Sequence, residues 1–373
     1  MNNTLLSSQK QRDFWFDNAK AYLIILVFMG HICECLIKTV PFEGGTPLWL
    51  DNLFKFIYVF HMPVFMIISG RFAKGRVERN DWVVSINKLI IPYIVVQFFM
   101  MLFYCVVGYS KVTYTSFFNP GYGLWYILVL GIYQMITPHL LKVFRNKWLL
   151  LPISLIIMII LSYQKYPFPT PIPRIVNFYP FFIFGYLTAN YSFDFCKKTI
   201  FRILSAFAFV GLFVVINYDS VLEVALLSGK RIYSQYYTLL GISKPELLII
   251  TIVRYLSGFL FFLFVMGISP VKRHFGTKLG TNSTYIYILH LFIVVALTAL
   301  SKSHHILDFC TNEVFSVILL ILTIPVGCLL VSSPVVKATR WLVSPDFSLK
   351  KTIETIMKWN QYFYINAHLK ILI

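Results

Sequence analysis

Acidic residues are scarce in this sequence, which holds 15 Asp and Glu against 33 Lys and Arg in 373 residues. Charge of either sign is nearly missing from several stretches of about 20 apolar residues, a length that spans the hydrocarbon core of a bilayer. Hydrophobic residues make up 58% of the chain, and the mean hydropathy is +0.73. This composition excludes a soluble enzyme with a single core and predicts an all-α membrane protein.

The apolar stretches recur along the chain, and neither a large soluble domain nor an internal repeat interrupts them. The fifth stretch is short and the sixth begins with prolines, so nine or eleven spans stay possible. We therefore predict a polytopic transmembrane helix bundle of about ten spans. The predicted spans are 19–38, 53–72, 89–108, 124–141, 149–163, 173–190, 200–217, 247–268, 283–301 and 314–333.

The excess of basic residues, a formal net charge of +18, is concentrated in alternate loops between the spans. This alternation follows the positive-inside rule, predicts that both termini are cytoplasmic, and argues against nucleic acid as a partner. Residues 1–340 are predicted to form the membrane domain. Residues 341–373 are predicted to form a basic cytoplasmic tail, with a short interfacial helix in contact with anionic lipid.

Motifs for metals and disulfides are also missing. The six cysteines form no CxxC pair and no zinc-binding spacing. The histidines inside the spans lack an HxxxH pair, so no metal is predicted. Cys33 and Cys35 lie near the outer end of the first span, and the sequence does not decide whether they form a disulfide. The first apolar run is too long for a signal-peptide core and lacks an A-x-A site, so it is expected to remain a membrane helix.

Charge does enter the first span, where residues 12–31 read RDFWFDNAKAYLIILVFMGH. At about 100° per residue, Asp13 and His31 are five full turns apart and project from one helix face. Asp17 and Lys20 lie within roughly 40° of that face, and Lys20 is about 16 Å from His31 along the axis. Because ionisable side chains inside a membrane are costly, this face is the first candidate for a functional site.

Other polar residues are predicted inside later spans. His61 lies in the second span before Pro63, His290 about two turns into the ninth, and Arg254 inside the eighth. The ordinary alternative for His61 is a neutral histidine bonded to a carbonyl, and Arg254 could snorkel, pair with an acid or bind an anion. The second-rank candidates for substrate contacts are His61, Ser69, Asp13, Arg254 and His290.

The loop 71–88 carries the densest cluster of basic residues. A positive cytoplasmic entrance attracts a phosphorylated donor such as coenzyme A, which makes Arg71, Arg76 and Lys88 candidate donor-binding residues. The alternative is that each of these residues only sets the topology of the chain.

The segments RDFWFDNAKAYLIILVFMGH, FHMPVFMIISGRF, LIIPY, LWYILVL and LGTNSTYIYILH resemble the integral-membrane acyltransferase family 3. Within it, the chain is most similar to the fucose 4-O-acetylase-like, surface-polysaccharide O-acetyltransferases, from about residue 12 to 333. The resemblance implies a cell-membrane bundle that uses cytoplasmic acyl-CoA, acetyl-CoA first, to acylate a glycan or glycolipid beyond the membrane. Lys20 and His31 match the family's motif of a basic residue, ten others and a histidine, although many relatives carry arginine at the first position.

We therefore predict an O-acyltransferase with three catalytic residues. His31 is expected to deprotonate the acceptor hydroxyl or to carry the acyl group transiently. Lys20 is expected to hold the donor or the developing anion, and Asp17 to balance Lys20. The alternative class is a transporter or flippase for a glycan or small anion, because charged faces inside a bundle also line transport paths.

Overall fold

A computed structural model of the chain describes residues 14–111, 119–162, 171–218, 241 and 243–345. Within these ranges the chain is helical and contains no strand, which confirms the all-α membrane bundle predicted from composition. Asp13 and the predicted tail beyond residue 345 lie outside the described residues.

Thirteen α-helices occupy the described ranges, and a π-helical segment, Ile86–Ile90, joins the third helix to the fourth. The helices are α1 (Phe14–Thr39), α2 (Leu48–Glu78), α3 (Trp82–Ser85), α4 (Ile91–Val107), α5 (Trp125–Val143), α6 (Leu150–Ser162), α7 (Ile172–Leu187), α8 (Thr199–Tyr218), α9 (Lys244–Ile268), α10 (Thr277–Thr281), α11 (Ser283–His304), α12 (Glu313–Leu330) and α13 (Ser333–Val343).

Each of the ten predicted spans coincides with a helix, and eight helical stretches are long and apolar enough to cross a membrane. The other two predicted spans correspond to α6, with 13 residues, and α7, with 16 residues. At about 1.5 Å per residue these helices fall short of a hydrocarbon core of about 30 Å. The orientation with both termini in the cytoplasm stays a prediction.

The helices α2 and α7 approach each other closely at two glycines. A Cβ atom on Gly70 would lie 2.0 Å from the carbonyl oxygen of Phe182, and one on Gly185 would lie 1.9 Å from that of Ile67. Only glycine fits at either position, because any side chain would push the two backbones apart. Small residues of this kind let membrane helices pack without a hydrophobic driving force.

The beginning of α1, which carries the predicted charged face, is fixed by a buried asparagine. The amide of Asn18 donates to two carbonyl oxygens of the loop before α10, at 2.6 and 2.9 Å, and accepts from the Thr277 hydroxyl at 2.7 Å. A Cβ atom on Gly280 would lie 1.7 Å from the carbonyl oxygen of Asp17, so α10 contacts the α1 backbone directly. These contacts set the position of the Asp17 and Lys20 side chains.

The disulfide left open for the first span is not formed. Cys33 and Cys35 are buried, free thiols on α1. Residues two apart on a helix point to different sides, so these two sulfur atoms do not face each other.

Candidate functional site

Two cavities lie between the helices, one on either side of a thin wall. The His31 cavity has a volume of about 520 Å³ and is lined by residues of α1, α2, α4 and the loop before α5. The Lys20 cavity has a volume of about 280 Å³ and is lined by residues of α1, α2, α5 and the π-helical segment. Val27, Met62 and Tyr287 line both cavities, so we call these three side chains the septum.

His31 lies at the wall of the larger cavity with its two ring nitrogens in different surroundings. Nδ1 lies 3.3 Å from Oε2 of Glu34, one helical turn later on α1. Nε2 faces Gly123, where a Cβ atom would be only 3.3 Å away. The ring is mostly buried, with 15% of the side chain exposed. A carboxylate at Nδ1 favours the tautomer in which Nε2 is the basic nitrogen.

Glu34 is held by two further groups besides His31. Its Oε2 accepts from the Tyr122 hydroxyl at 3.1 Å, and its Oε1 pairs with Lys38 Nζ at 2.5 Å. Burial, and next the charge of Glu34, raises the pKa of the Tyr122 phenol, which therefore stays protonated and donates. Tyr122 has a φ of 43°, in the left-handed region that bulky residues seldom occupy. Such backbone strain is found preferentially at functional sites.

Sequence reasoning did not single out Glu34. The signal was present, because an acid three residues after a buried histidine on a helix lies on the same face. Tyr122 could not be found in that way, since it comes from a loop that is distant in sequence.

His61 and His290, two second-rank candidates, lie near His31 in different roles. Nδ1 of His61 lies 2.6 Å from the carbonyl oxygen of Ile57, and the His61 ring lines the His31 cavity. Nδ1 of His290 lies 2.7 Å from the carbonyl oxygen of Ile286, and its ring centroid is 5.3 Å from that of His31. The carbonyl contact is the ordinary arrangement that the sequence offered as the alternative for His61, and His290 has the same kind of contact.

Aromatic side chains form much of the remaining wall of the His31 cavity. Gln97 on α4 fixes the loop before α5, since its amide donates to Asn119 O at 3.1 Å and accepts from Gly121 N at 2.9 Å. The guanidinium of Arg174, on α7, lies 4.6 Å from the centroid of the Trp125 ring. Aromatic faces mixed with polar groups can bind an amphipathic ligand. The aromatic lining residues are Phe54, Tyr58, Tyr104, Tyr109, Tyr122, Trp125 and Tyr287.

The Lys20 cavity is lined by cations. Lys20 pairs with Asp17 at 2.8 Å, and its ammonium lies 5.3 Å from the centroid of the Phe72 ring. Arg76 donates through Nε to Gln134 at 2.9 Å. Lys88 is exposed on the π-helical segment, a local distortion that is frequent at functional sites. The structure thus brings four predicted residues, Asp17 included, to this end of the bundle.

Ser69 also lines the Lys20 cavity and shares a short hydrogen bond with the Tyr126 hydroxyl. The Tyr126 ring packs against Tyr287 of the septum, with centroids 5.4 Å apart. The Tyr287 hydroxyl donates to the carbonyl oxygen of Gly123, the residue beside His31 Nε2. Tyr287 of the septum therefore has a ring contact on the side of the Lys20 cavity and a hydrogen bond on the side of the His31 cavity.

Arg71 and Arg254 are not among the described residues that line either cavity. Arg71 donates to the carbonyl oxygen of Thr188 at 2.6 Å and lies 4.8 Å from the centroid of the Phe16 ring. Arg254 is buried, with its guanidinium 5.5 Å from the centroid of the Phe178 ring. The structure thus gives both arginines contacts outside the two cavity linings, and their predicted roles stay predictions.

The fold and this arrangement define a polytopic helical membrane protein with two unlike cavities that meet inside the bundle. The model of a family described as "Acyltransferase domain" matches residues 13–332. The chain therefore belongs to acyltransferase family 3 and is a membrane acyltransferase, as its segments predicted.

Two curated relatives carry the name "Nodulation protein NolL". That of Sinorhizobium fredii (strain NBRC 101917 / NGR234) is 30% identical over 198 residues, which cover 48% of this chain and 49% of the relative. That of Mesorhizobium japonicum (strain LMG 29417 / CECT 9101 / MAFF 303099) is 38% identical over 100 residues, 26% of this chain and 24% of the relative. The matched region thus spans half of these relatives or less. No solved structure matches the chain.

Proposed function

We propose that this membrane acyltransferase moves an acyl group from acyl-CoA to a hydroxyl of a glycan or glycolipid, with acetyl-CoA as the first donor to test. The observation that supports it is the septum: Val27, Met62 and Tyr287 separate a cavity lined by cations from one that holds an imidazole beside a carboxylate. Each cavity suits one substrate, and the reacting groups need to cross only the septum to meet.

The Lys20 cavity is the proposed donor site. The phosphates of coenzyme A are anionic, and Lys20, Arg76 and Lys88 line this cavity. Cations in a concave, low-dielectric surface attract such a ligand. The same cavity adjoins the basic end of α2, which the positive-inside rule assigns to the cytoplasm, where acyl-CoA is made. The thioester at the narrow end of the donor would then point towards the septum.

The His31 cavity is the proposed acceptor site. Its tyrosines and Trp125 offer flat apolar faces, and Gln97 and Arg174 offer polar groups between them. A sugar ring has apolar faces and a polar rim, so this lining suits it. Glycan as the acceptor class comes from the family resemblance, and the lining supports it independently.

In the proposed reaction, Nε2 of His31 takes the proton of the acceptor hydroxyl as the oxygen attacks the thioester carbonyl. The tetrahedral intermediate collapses, the C–S bond breaks, and the thiolate of coenzyme A recovers the proton from the imidazolium. In the alternative course, Nε2 attacks the thioester carbonyl first, the C–S bond breaks and coenzyme A leaves as the thiolate. The acceptor hydroxyl then attacks the acyl-imidazole, the bond to Nε2 breaks, and the hydroxyl proton passes to the thiolate. Both courses place the same nitrogen at the reacting carbon.

The test uses membranes that contain equal amounts of wild-type protein, His31→Ala or His139→Ala, supplied with radiolabelled acetyl-CoA and extracted glycans or glycolipids. His139 is exposed on α5 and serves as the matched control. We expect His31→Ala to lose about 10²- to 10⁴-fold in transfer, the usual contribution of a general base, and His139→Ala to keep wild-type transfer.

Three results would revise the proposal in different ways. Transfer from succinyl-CoA but not acetyl-CoA would change the acyl group and keep the site. Wild-type transfer by His31→Ala would refute the role of His31. A protein that moves a glycan across the membrane without consuming acyl-CoA would be a transporter instead, since a transferase consumes its donor stoichiometrically.

A further inference from the structure

The three histidines in and beside the His31 cavity are held in two different ways. Nδ1 of His61 and Nδ1 of His290 each lie by the carbonyl oxygen four residues earlier in the same helix, at 2.6 and 2.7 Å. Nδ1 of His31 lies instead by the carboxylate of Glu34, at 3.3 Å. A carbonyl fixes the tautomer of a ring, whereas a carboxylate also stabilises the positive charge that the ring gains when it accepts a proton.

The groups that face His31 come from every element packed against it. Glu34 lies on its own helix, Tyr122 comes from the loop before α5 with ring centroids 4.9 Å apart, and His290 comes from α11. His61 comes from α2 and lines the same cavity as His31. Among these groups in the described chain, Glu34 alone carries a negative charge.

The carboxylate of Glu34 is itself anchored from two sides. Tyr122 donates to the same oxygen that faces His31, and Lys38 pairs with the other oxygen. A carboxylate that is bonded on both oxygens stays ionised and keeps one orientation. The left-handed backbone of Tyr122, with a φ of 43°, puts its hydroxyl at this carboxylate, so the fold accepts local strain to make the contact.

We propose that Glu34 is a positioning residue for His31, an inference that rests on the proposed function. Glu34 accepts Nδ1–H, which leaves Nε2 as the basic nitrogen beside Gly123 and the cavity. When Nε2 takes the proton of the acceptor hydroxyl, the carboxylate balances the imidazolium. The 3.3 Å separation shortens as the ring becomes charged, because charge-assisted hydrogen bonds are shorter.

The experiment compares Glu34→Gln, Glu34→Asp and the matched control Glu313→Gln, which alters an exposed glutamate bonded to Trp49. Steady-state transfer is measured against both acyl-CoA and acceptor concentration at equal protein abundance. We expect Glu34→Gln to lower kcat by about 10- to 100-fold, part of what a general base contributes, with both KM values within about twofold. Glu34→Asp should recover part of the loss, because it keeps the charge, and Glu313→Gln should match the wild type.

A second measurement reports on the pair even without transfer. Diethyl pyrocarbonate modifies unprotonated imidazole nitrogens, and the modification of His31 is followed by mass spectrometry at pH 8. We expect His31 of the wild type to react faster than His61 and His290, and Glu34→Gln to slow the His31 reaction severalfold without changing the other two.

The outcomes separate the two hypotheses. If the wild type transfers and Glu34→Gln keeps its kcat, the inference about Glu34 is wrong and the proposed function stands. If the wild type transfers nothing but His31 labelling still depends on Glu34, the proposed function is wrong and the pairing stands. A change in KM alone, or equal loss in Glu34→Gln and Glu34→Asp, would assign Glu34 a structural role and overturn the inference.

Discussion

The two cavities differ in charge although they share a wall. The Lys20 cavity is lined by Lys20, Arg76 and Lys88, whereas the His31 cavity places Lys38 and Arg174 opposite one carboxylate and a ring of aromatic side chains. A cationic cavity attracts a multiply charged anion without fixing its orientation. An aromatic cavity with few polar groups instead selects a ligand by its shape and fixes its orientation. Under the proposed function, donor recognition and the chemical step therefore lie on opposite sides of the septum.

One helix face joins the two regions. Lys20, Val27 and His31 lie on α1 at spacings of 7 and 4 residues, so they project within about 40° of one another. Lys20 lines one cavity, Val27 lies in the septum and His31 lines the other. Under the proposed function, a donor would therefore extend along the helix face predicted from the sequence, past Lys20, then Val27 and then His31.

The strongest way to break this comparison is to close the septum. Val27→Trp adds bulk between the cavities, so we expect transfer to fall by about 100-fold or more, since misplacement of reacting groups by about 1 Å already costs about that much. Binding of coenzyme A to the Lys20 cavity, measured by calorimetry on purified protein, should stay within about threefold. Loss of both transfer and binding would contradict the division into two sites.

The larger side chain of Val27→Trp could lower activity by destabilising the fold, because Val27 is buried and overpacking a core costs about 1–3 kcal/mol of stability, so this effect needs a control. Tyr22→Trp changes an exposed position of the same helix and should leave transfer and thermal stability unchanged. Met62→Trp enlarges the opposite side of the septum from α2 and should reproduce the Val27→Trp effect. Agreement between the two septum variants would separate obstruction from misfolding.

The next prediction disturbs the His31 cavity alone. A Cβ atom on Gly123 would lie 3.3 Å from His31 Nε2 and 2.9 Å from a Leu291 methyl group, so Gly123→Ala moves the ring or the loop. We expect kcat to fall by about 10- to 30-fold through misplacement of Nε2, with the KM for acyl-CoA unchanged. Initial rates over a range of both substrates measure this. A raised KM for acyl-CoA with an unchanged kcat would contradict the assignment of the donor to the Lys20 cavity, because it would indicate that the donor binds in the His31 cavity.

The Lys20 cavity should respond in the opposite manner. Lys20→Met removes one cation that faces the donor, and we expect the KM for acyl-CoA to rise about tenfold, equal to about 1.4 kcal/mol. The acceptor KM should not change. Lys20→Arg keeps the charge and should stay within about threefold of the wild type, as expected from relatives that carry arginine in this motif. An equal loss in both variants would show that geometry rather than charge matters at this position.

Much of the fold could be predicted because a bilayer leaves the backbone few options. In lipid every N–H and C=O group must be satisfied internally, so each long apolar run becomes a helix. Helical periodicity then placed Asp17, Lys20 and His31 on one face without any knowledge of tertiary structure. The close helix contact at Gly70 follows a similarly local rule, because glycine inside a span lets two backbones approach.

The rest of the site depends on contacts that the sequence does not order. Tyr122, Gln97 and Arg174 come from a loop and two helices, and they line one cavity only because α4, α5 and α7 pack around α1 and α2. Arg71, at the cytoplasmic end of the second span, and Arg254, inside the eighth, were singled out by their charge. The structure gives the first a hydrogen bond to a carbonyl oxygen and the second a ring contact, and their predicted roles stay predictions. Local sequence patterns predict which residues share a helix face. Which side chains meet across the bundle depends on how the helices pack.

The smallest expected effect would sharpen the comparison most, because it concerns charge without packing. Lys88 is exposed at the Lys20 cavity, so Lys88→Met removes one positive charge with little strain. We expect the KM for acyl-CoA to rise about two- to threefold at low ionic strength. The rise should disappear near 0.5 M salt, where the screened interaction between charges extends only a few ångström.

Lys147→Met, at an exposed lysine that lines neither cavity, is the matched control and should show no salt-dependent difference. If Lys88→Met also leaves the donor KM unchanged at low salt, Lys88 acts only in topology, and phosphate recognition rests on Lys20 and Arg76.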